Sequence, residues 1–330
     1  MNTTGAFVIS LDFELVWGVR DLEIIGKRKD LMPTRVVVPR LLELFKKYEI
    51  HATWATVGFL FFETREDLLH SLPEQQPKYK NTHLSPYASM HDEVGSNEDN
   101  DPLHYAPSLI RKIIATPYQE LGTHTFSHYY CLEDGQTKND FQADLQAAMK
   151  AGRQYGHEIK SIVFPRNQYS QEVLDVCALN GVETFRGNEN LWFRAPSKRS
   201  EHRRLSRRLM RIMDAYFDIS GTNTYPLPMA EKPVNVPASR YLRPVSQRLK
   251  ILEPLRLRRI TSSMRKAAQA KEIFHLWWHP EDFANDVNGN LEFLEKILVE
   301  FSNLRSLYGM KSLNMQEVGE LAKRVKQDSA

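Results

Sequence analysis

The feature that most constrains this chain is a repeated switch between two hydrophobic periods. Ala6 to Leu15 alternates, with Ala6, Val8, Ser10, Asp12 and Glu14 on one face and Phe7, Ile9, Leu11, Phe13 and Leu15 on the other. Pro33 and Thr34 then open a stretch to about Tyr48 in which Val37, Leu41, Leu44 and Phe45 recur at helical spacing. His51 to Phe59, rich in Thr, Trp and Val, reads as the next strand. Further on come a strand stub at Glu120 to Thr123, a helix capped by Asn139 to about Tyr155, and a short strand Ser161 to Phe164 stopped by Pro165. A helix from Gln171 to Asn180 ends at Gly181, and Val182 to Phe185 is again a strand. Ile273 to Trp278 is the last long strand, followed by a helix from Leu291 to Leu307 and a short one from Met315. Repeated βα units predict an α/β protein with a parallel sheet or barrel, helices outside, and a site at the C-terminal ends of the strands.

Two stretches break the rhythm. Residues 71–108 are polar and dotted with proline, as in a long loop insertion of the kind that can form a lid. Between Lys198 and Lys271 there are 18 Lys and Arg against 5 Asp and Glu, whereas the rest of the chain has 26 against 36. That asymmetry points to an anionic partner for the segment, or to a solvated helix face. Within it Arg203, Arg204, Arg207, Arg208 and Arg211 recur at helical spacing opposite Leu205, Leu209 and Ile212. The expected organisation is a first catalytic part over 1–197, a basic helical or irregular insertion over 198–271, and completion of the barrel with C-terminal helices over 272–330.

With 42% hydrophobic residues in 330, the chain has enough apolar material for a core, which excludes disorder over most of its length. The longest apolar run, Val57 to Phe62, is too short to span a bilayer. The first apolar stretch lacks a basic leader and runs into Asp12 and Glu14, unlike a secretory signal, so a cytoplasmic address is expected. Cys131 and Cys177 fit a reducing compartment and read as small core residues.

Four strings carry candidate chemistry. In Asp12-Phe13-Glu14 both carboxylates leave one face of a strand, a costly pairing unless a cation or base lies between them; a solvated edge would also hold two acids. In His124-Thr125-Phe126-Ser127-His128 a helical turn would set both imidazoles on one face, able to share a metal. There is no HExxH, so a carboxylate ligand has to come from elsewhere, and the Asp12/Glu14 strand end is the obvious donor. His275, Trp277 and His279 alternate onto one strand face that ends at Pro280. Phe164-Pro165-Arg166-Asn167-Gln168-Tyr169 follows a strand directly, and Arg166 is placed to pair with a buried acid.

Together these strings resemble the polysaccharide deacetylase family (NodB homology domain, carbohydrate esterase family 4). The likeness runs through Val8–Gly18, Ala52–Phe59, Glu120–His128, Ile162–Tyr169 and Phe274–Pro280, with SLDFELVWG and ELGTHTFSH its most specific parts. The resemblance implies an irregular (β/α) barrel of about seven parallel strands, with the basic helical insertion before the last strand. It also implies roles: Asp12 as base, Glu14, His124 and His128 as metal ligands, His279 as general acid, and Arg166 as the arginine holding the base. His275, Trp277 and Tyr169 are expected to contact substrate. The family's usual pair of adjacent aspartates is here Asp-Phe-Glu, which leaves base and ligand exchangeable. Its R-x-P motif is here Pro165 before Arg166, and no counterpart stands out for the Asp-Trp motif that tunes the late histidine.

The implied activity is metal-dependent hydrolysis of an N-acetyl group on a sugar. Zinc suits the ligand set, and cobalt, nickel and manganese are compatible with it. With no leader sequence, the expected substrate is a cytoplasmic precursor of surface polysaccharide or glycolipid, linked to a nucleotide or a lipid diphosphate. The basic segment would then meet that diphosphate or the inner face of an anionic membrane; no nucleic-acid recognition motif is present. Competing expectations are a deformylase or other amidase on a lipid-linked glycan, and an inactive carbohydrate-binding module of the same fold.

Overall fold

The computed structural model describes residues 4–20, 31–88, 90–189, 191, 193, 195–198 and 205–328. Its strands are β1 (Ala6–Phe13), β2 (Ala52–Thr56), β3 (Gln119–Thr123), β4 (Ser161–Ile162), β5 (Thr184–Phe185), β6 (Val234–Asn235), β7 (Arg240–Tyr241), β8 (Ile273–Trp278) and β9 (Lys311–Leu313). They lie in the order β6-β5-β4-β3-β2-β1-β8-β7, with β9 against β1, and every strand pairing is parallel. The helices are α1 (Thr34–Tyr48), α2 (Arg65–His70), α3 (Met90–Glu93), α4 (Pro107–Ala115), α5 (Lys138–Gln154), α6 (Gln171–Leu179), α7 (Leu205–Tyr216), α8 (Glu253–Ala270), α9 (Val287–Tyr308) and α10 (Met315–Asp328).

The strand order forces the sheet to curl. β6 and β7 stand at opposite ends of it, yet only residues 236–239 separate them. Eight strands laid flat would put those edges roughly 34 Å apart, whereas five residue steps reach at most about 18 Å. Hydrogen bonding shows how the edges meet. Val236 N–H and Ala238 N–H donate to the Phe185 and Gly187 carbonyls, both at 2.9 Å, and Ser239 N–H and Leu242 N–H donate to His275 and Trp277, at 2.9 and 2.8 Å. Residues 234–242 are therefore one strand that leaves β5 and joins β8. Counted so, the barrel has about the seven staves expected, with β9 as a stub.

The alternation in β1 sorts its two faces. Phe7, Ile9, Leu11 and Phe13 point outward into the main apolar core, with Trp54, Trp278, Phe45 of α1 and Phe301 of α9. Ala6 and Val8 point inward and meet Ala55, Val163, Val234, Val236 and Ile273, with Met315, Val318 and Ala322 of α10 closing the N-terminal end of the barrel. Above that plug the interior turns polar. The buried Glu120 carboxylate accepts from Thr53 Oγ1 at 2.6 Å, from the Ser161 hydroxyl, and from Gln316 N–H at 3.1 Å.

Many elements fall where periodicity predicts; β2 ends at Thr56 rather than Phe59, α4 and α8 are unexpected, and three further differences have clear causes. α5 is capped by Thr137 rather than Asn139, because Thr137 and Asp140 exchange side-chain-to-backbone bonds in a capping box. The C-terminal helix runs to Asp328 because Met315, Val318 and Ala322 reach the barrel floor. In α7 the expected polarity is reversed: Leu205 and Leu209 face solvent, while Arg207 and Arg211 are part-buried. Arg203 and Arg204 lie outside the described residues. The segment 71–108 packs along the turn after β1, with Trp17 Nε1 donating to the His104 carbonyl at 3.0 Å and Val16 N–H to Leu103 at 3.4 Å.

Candidate active site

The C-terminal ends of β1, β3, β4 and β8 converge on a cavity of about 420 Å³ lined by Asp12, Glu14, His128, Trp277 and His279, together with Arg166, Arg211 and Arg243. Its size suits a small-molecule site.

Glu14 lies one residue beyond β1. His128 Nε2 stands 2.8 Å and His124 Nε2 3.2 Å from the same Glu14 oxygen, Oε2. All three residues are buried, and their ligand atoms lie within 4.8 Å of one another. Gly18 makes room for this carboxylate, since a Cβ there would overlap it. From below, the Glu281 carboxylate accepts from Glu14 N–H at 3.1 Å and Leu15 N–H at 2.5 Å, which fixes the turn.

The histidines do not meet through a helical turn. Residues 124–130 are irregular, and Thr125 and His128 have positive φ, 63° and 54°. Asp144 of α5 holds the loop by accepting from Phe126 N–H at 2.7 Å, Ser127 N–H at 3.1 Å and the Ser127 hydroxyl. Thr125 Oγ1 accepts from Tyr129 N–H at 2.7 Å. Burial, which outweighs the charge of Glu14, pushes the His128 pKa down to about 4, so the ring is neutral.

These residues fit a divalent metal: one carboxylate and two imidazoles converge, and the cavity beyond them is open. The surroundings of His128 add a constraint. Arg20 stands 3.1 Å from its Nδ1, so Nδ1 accepts, and Nε2 carries the proton it shares with Glu14. A cation at this point competes with that proton, which makes its capture pH-dependent.

Asp12 is held by an arginine that the sequence reading did not select. Arg186, just beyond β5, grips it with both arms, Nη1 to Oδ1 at 2.6 Å and Nη2 to Oδ2 at 2.7 Å. The guanidinium lies 4.1 Å over the Trp277 ring and donates to Ser10 Oγ at 3.0 Å and Asn167 Oδ1 at 3.1 Å. Burial pushes the Asp12 pKa up, and Arg186 with His124 more than offsets it, so the carboxyl stays ionised. Arg166, expected in that role, lies instead 4.2 Å over the Tyr130 ring. The positive φ of Arg166 and Asn167, 54° and 53°, turns the chain so that Asn167 supports Arg186.

His279 ends β8. Its Nδ1 donates to Asp282 Oδ2 at 2.9 Å, and its Nε2 faces Glu14 Oε1 at 3.6 Å and Asp12 Oδ2 at 3.8 Å. Burial opposes its charge, yet the carboxylates of Asp282 and Glu14 hold its pKa well above the ordinary histidine value. Tyr241 Oη donates to the same Asp282 oxygen at 2.6 Å. Asp282 thus supplies the tuning acid for which the sequence offered no counterpart.

Two expected substrate contacts lie elsewhere. His275 is fully buried, with Nε2 2.8 Å from Ser10 Oγ and Nδ1 3.1 Å from the Val236 carbonyl; it supports Arg186 through Ser10. Tyr169 packs against Phe164 and Phe185 and lines a neighbouring cavity with Glu189 and Tyr225. Trp277 does line the site. Arg186 and Asp282 each had a signal: one directly follows a strand, and the other sits three residues after His279 at capping-box spacing.

Asp144→Ala leaves three buried donors unpaired and is expected to cost roughly 2–4 kcal/mol, read as a lower urea midpoint with an unchanged slope. Glu281 gives a pH signature. Burial and the nearby Glu14 charge push its pKa up to about 8, so the folded protein binds more protons than the unfolded chain between about pH 4.5 and that value. Its contribution to stability therefore falls as pH rises through that window in the metal-free protein. Glu281→Gln keeps the oxygen that accepts from Glu14 and Leu15, and is expected to flatten the decline in urea titrations at about pH 5 and about pH 8.

Residues 28–185 match the family model described as polysaccharide deacetylase. No curated protein matches the sequence. Among solved structures, one from Mycobacterium smegmatis assigned as a polysaccharide deacetylase aligns with a TM-score of 0.61 at 13% identity, over 99% of this chain and 92% of its own. Another so assigned, from Pseudomonas aeruginosa PAO1, aligns with a TM-score of 0.56 at 10% identity, over 97% and 91%. An allantoinase, Puue, shares the fold with a TM-score of 0.55 at 9% identity, over 96% and 89%, so the fold alone does not fix a substrate. Residues 28–185 thus resemble the polysaccharide deacetylase family, and the barrel of parallel strands is the fold shared with those solved structures.

Proposed function

We propose that the protein is a metal-dependent hydrolase that removes an N-acetyl group from a sugar of an anionic, cytoplasmic glycan precursor. The observation that carries this reading is the division of labour around one cavity: Glu14, His124 and His128 converge on a point, Asp12 is ionised on one side, and His279 is charged on another. A divalent cation held by Glu14, His124 and His128, zinc by our reading, supplies Lewis acidity for the amide carbonyl and a more acidic water. Asp12, its orientation fixed by Arg186, accepts the proton of the attacking water. His279, already protonated through Asp282, donates to the departing nitrogen and so prevents collapse back to amide. Trp277, stacked on Arg186, offers a face to the sugar ring.

Arg166, Arg211 and Arg243 line the same cavity, and two of them come from the basic segment. Three guanidinium groups beside the acid–base pair favour a substrate with phosphate or diphosphate next to the acetylated sugar. Arg207 is directed elsewhere, to Ser197 Oγ at 2.9 Å.

The test is acetate release from metal-loaded protein on a panel of N-acetylated and N-formylated sugar nucleotides and lipid-linked sugars. His124→Ala and His128→Ala are expected to lose bound metal and turnover together. Asp12→Asn is expected to keep metal and lose at least about a hundredfold in kcat. Metal lost by Asp12→Asn and kept by Glu14→Gln would exchange the two acids. Arg211→Gln and Arg243→Gln should raise KM for a diphosphate-linked sugar more than for a neutral one, and added salt should do the same. Formate release without acetate release would reassign the acyl group.

A further inference from the structure

α7 is built inside out. Leu205, Leu209, Met213 and Phe217 follow one another at four-residue intervals, and they are 80%, 54%, 40% and 51% exposed. The opposite face holds the charges. Asp214 is buried against Arg259 at 2.7 Å and Arg240 at 3.4 Å, and Arg211 lines the catalytic cavity. A surface helix normally turns its apolar stripe to the core. Here the core side is satisfied by ion pairs, and the stripe is left to whatever covers it.

We propose that this stripe docks the protein on the surface of an anionic lipid bilayer. Charge selects that occupant. The segment from Lys198 to Lys271 has 18 basic residues against 5 acidic. Arg240, Arg256 and Arg259 are buried on Asp214 and Glu253, while Arg248, Lys250, Arg258, Arg265 and Lys266 are exposed. The C-terminal end of α7 abuts the start of α8, with Tyr216 Oη 3.5 Å from Glu253 Oε1, and there Ile251 and Leu255 add exposed apolar surface among those cations. A second copy of the chain on this face would bring two strongly basic segments together, which is repulsive; anionic headgroups around an inserted apolar stripe satisfy both features. Because α7 also supplies Arg211 to the cavity, docking would bring the catalytic mouth close to the headgroups. The docking rests on α7 and its surroundings, independent of the acid–base reading.

The test is co-sedimentation of the full chain with phosphatidylcholine vesicles with and without phosphatidylglycerol, at low and high salt. Binding is expected only to the phosphatidylglycerol vesicles, weakening as salt rises. The double variant Leu209→Glu/Phe217→Glu is expected to partition at least about tenfold more weakly, with unchanged acetate release from a soluble substrate. Arg248→Glu/Lys250→Glu, on a separate element, should weaken binding as well. Failure of the wild type to bind anionic vesicles, or equal binding by the Leu209/Phe217 variant, overturns the proposal. So does a wild-type dimer that this variant disperses, which would make the stripe a self-interface. Vesicle binding that follows the expected pattern without acetate release would leave the docking standing and remove the proposed activity.

Discussion

The structure depends on a buried ion pair inside the barrel. Arg186, just beyond β5, and Asp12 of β1 come from strands that three others separate, and their two parallel hydrogen bonds tie those strands together across the barrel. A buried guanidinium is tolerable only if its donors are engaged. Asp12, Ser10 and Asn167 accept from its two Nη groups and Trp277 covers the flat face, while the buried Nε–H has no hydrogen-bond partner among the described residues. His275, neutral because burial and the Arg186 charge push its pKa down to about 3, supports Ser10 from beneath. The polar column in the barrel's upper half is thus one connected device: its lower members set the orientation of the acid, and only its top reaches the cavity.

Legibility in the sequence followed this division. The outward faces of β1, β2 and β8 were readable because period-two alternation and helical stripes report directly on a shared apolar core. So was the convergence of Glu14, His124 and His128, since each lies at or just beyond a strand end. What the sequence hid depends on backbone turns and long-range pairing. Arg166 and Arg186 both follow strands, Arg186 directly and Arg166 in a left-handed turn that includes Asn167, and it is Arg186 that reaches Asp12. His275 shares a strand face with His279, but parity does not say how deep in the barrel a residue lies. The histidine pair met for a reason other than the expected one: Asp144, twenty residues downstream of His124, anchors the loop that brings them together.

The basic segment shows why composition alone is a weak guide. Its charge suggested a solvated face or a ligand for anions, and its arginines serve three different ends. Some neutralise buried acids, some line the cavity, and others among the described residues, such as Arg248 and Arg258, stay at the surface. The helical spacing of Arg207, Arg208 and Arg211 was read correctly as a helix, yet its polarity relative to the core was inverted. The driving term was burial of Asp214, which must be compensated by Arg240 and Arg259 once the helix packs there.

The stave formed by residues 234–242 has a consequence for how this architecture tolerates change in length. It belongs to a stretch that looks, by charge and proline content, like an accessory graft, yet it is the stitch between β5 and β8. Excising the whole stretch would leave two raw sheet edges, each a template for pairing with another chain. Insertions and deletions among relatives should therefore collect on either side of these nine residues and spare the stitch itself.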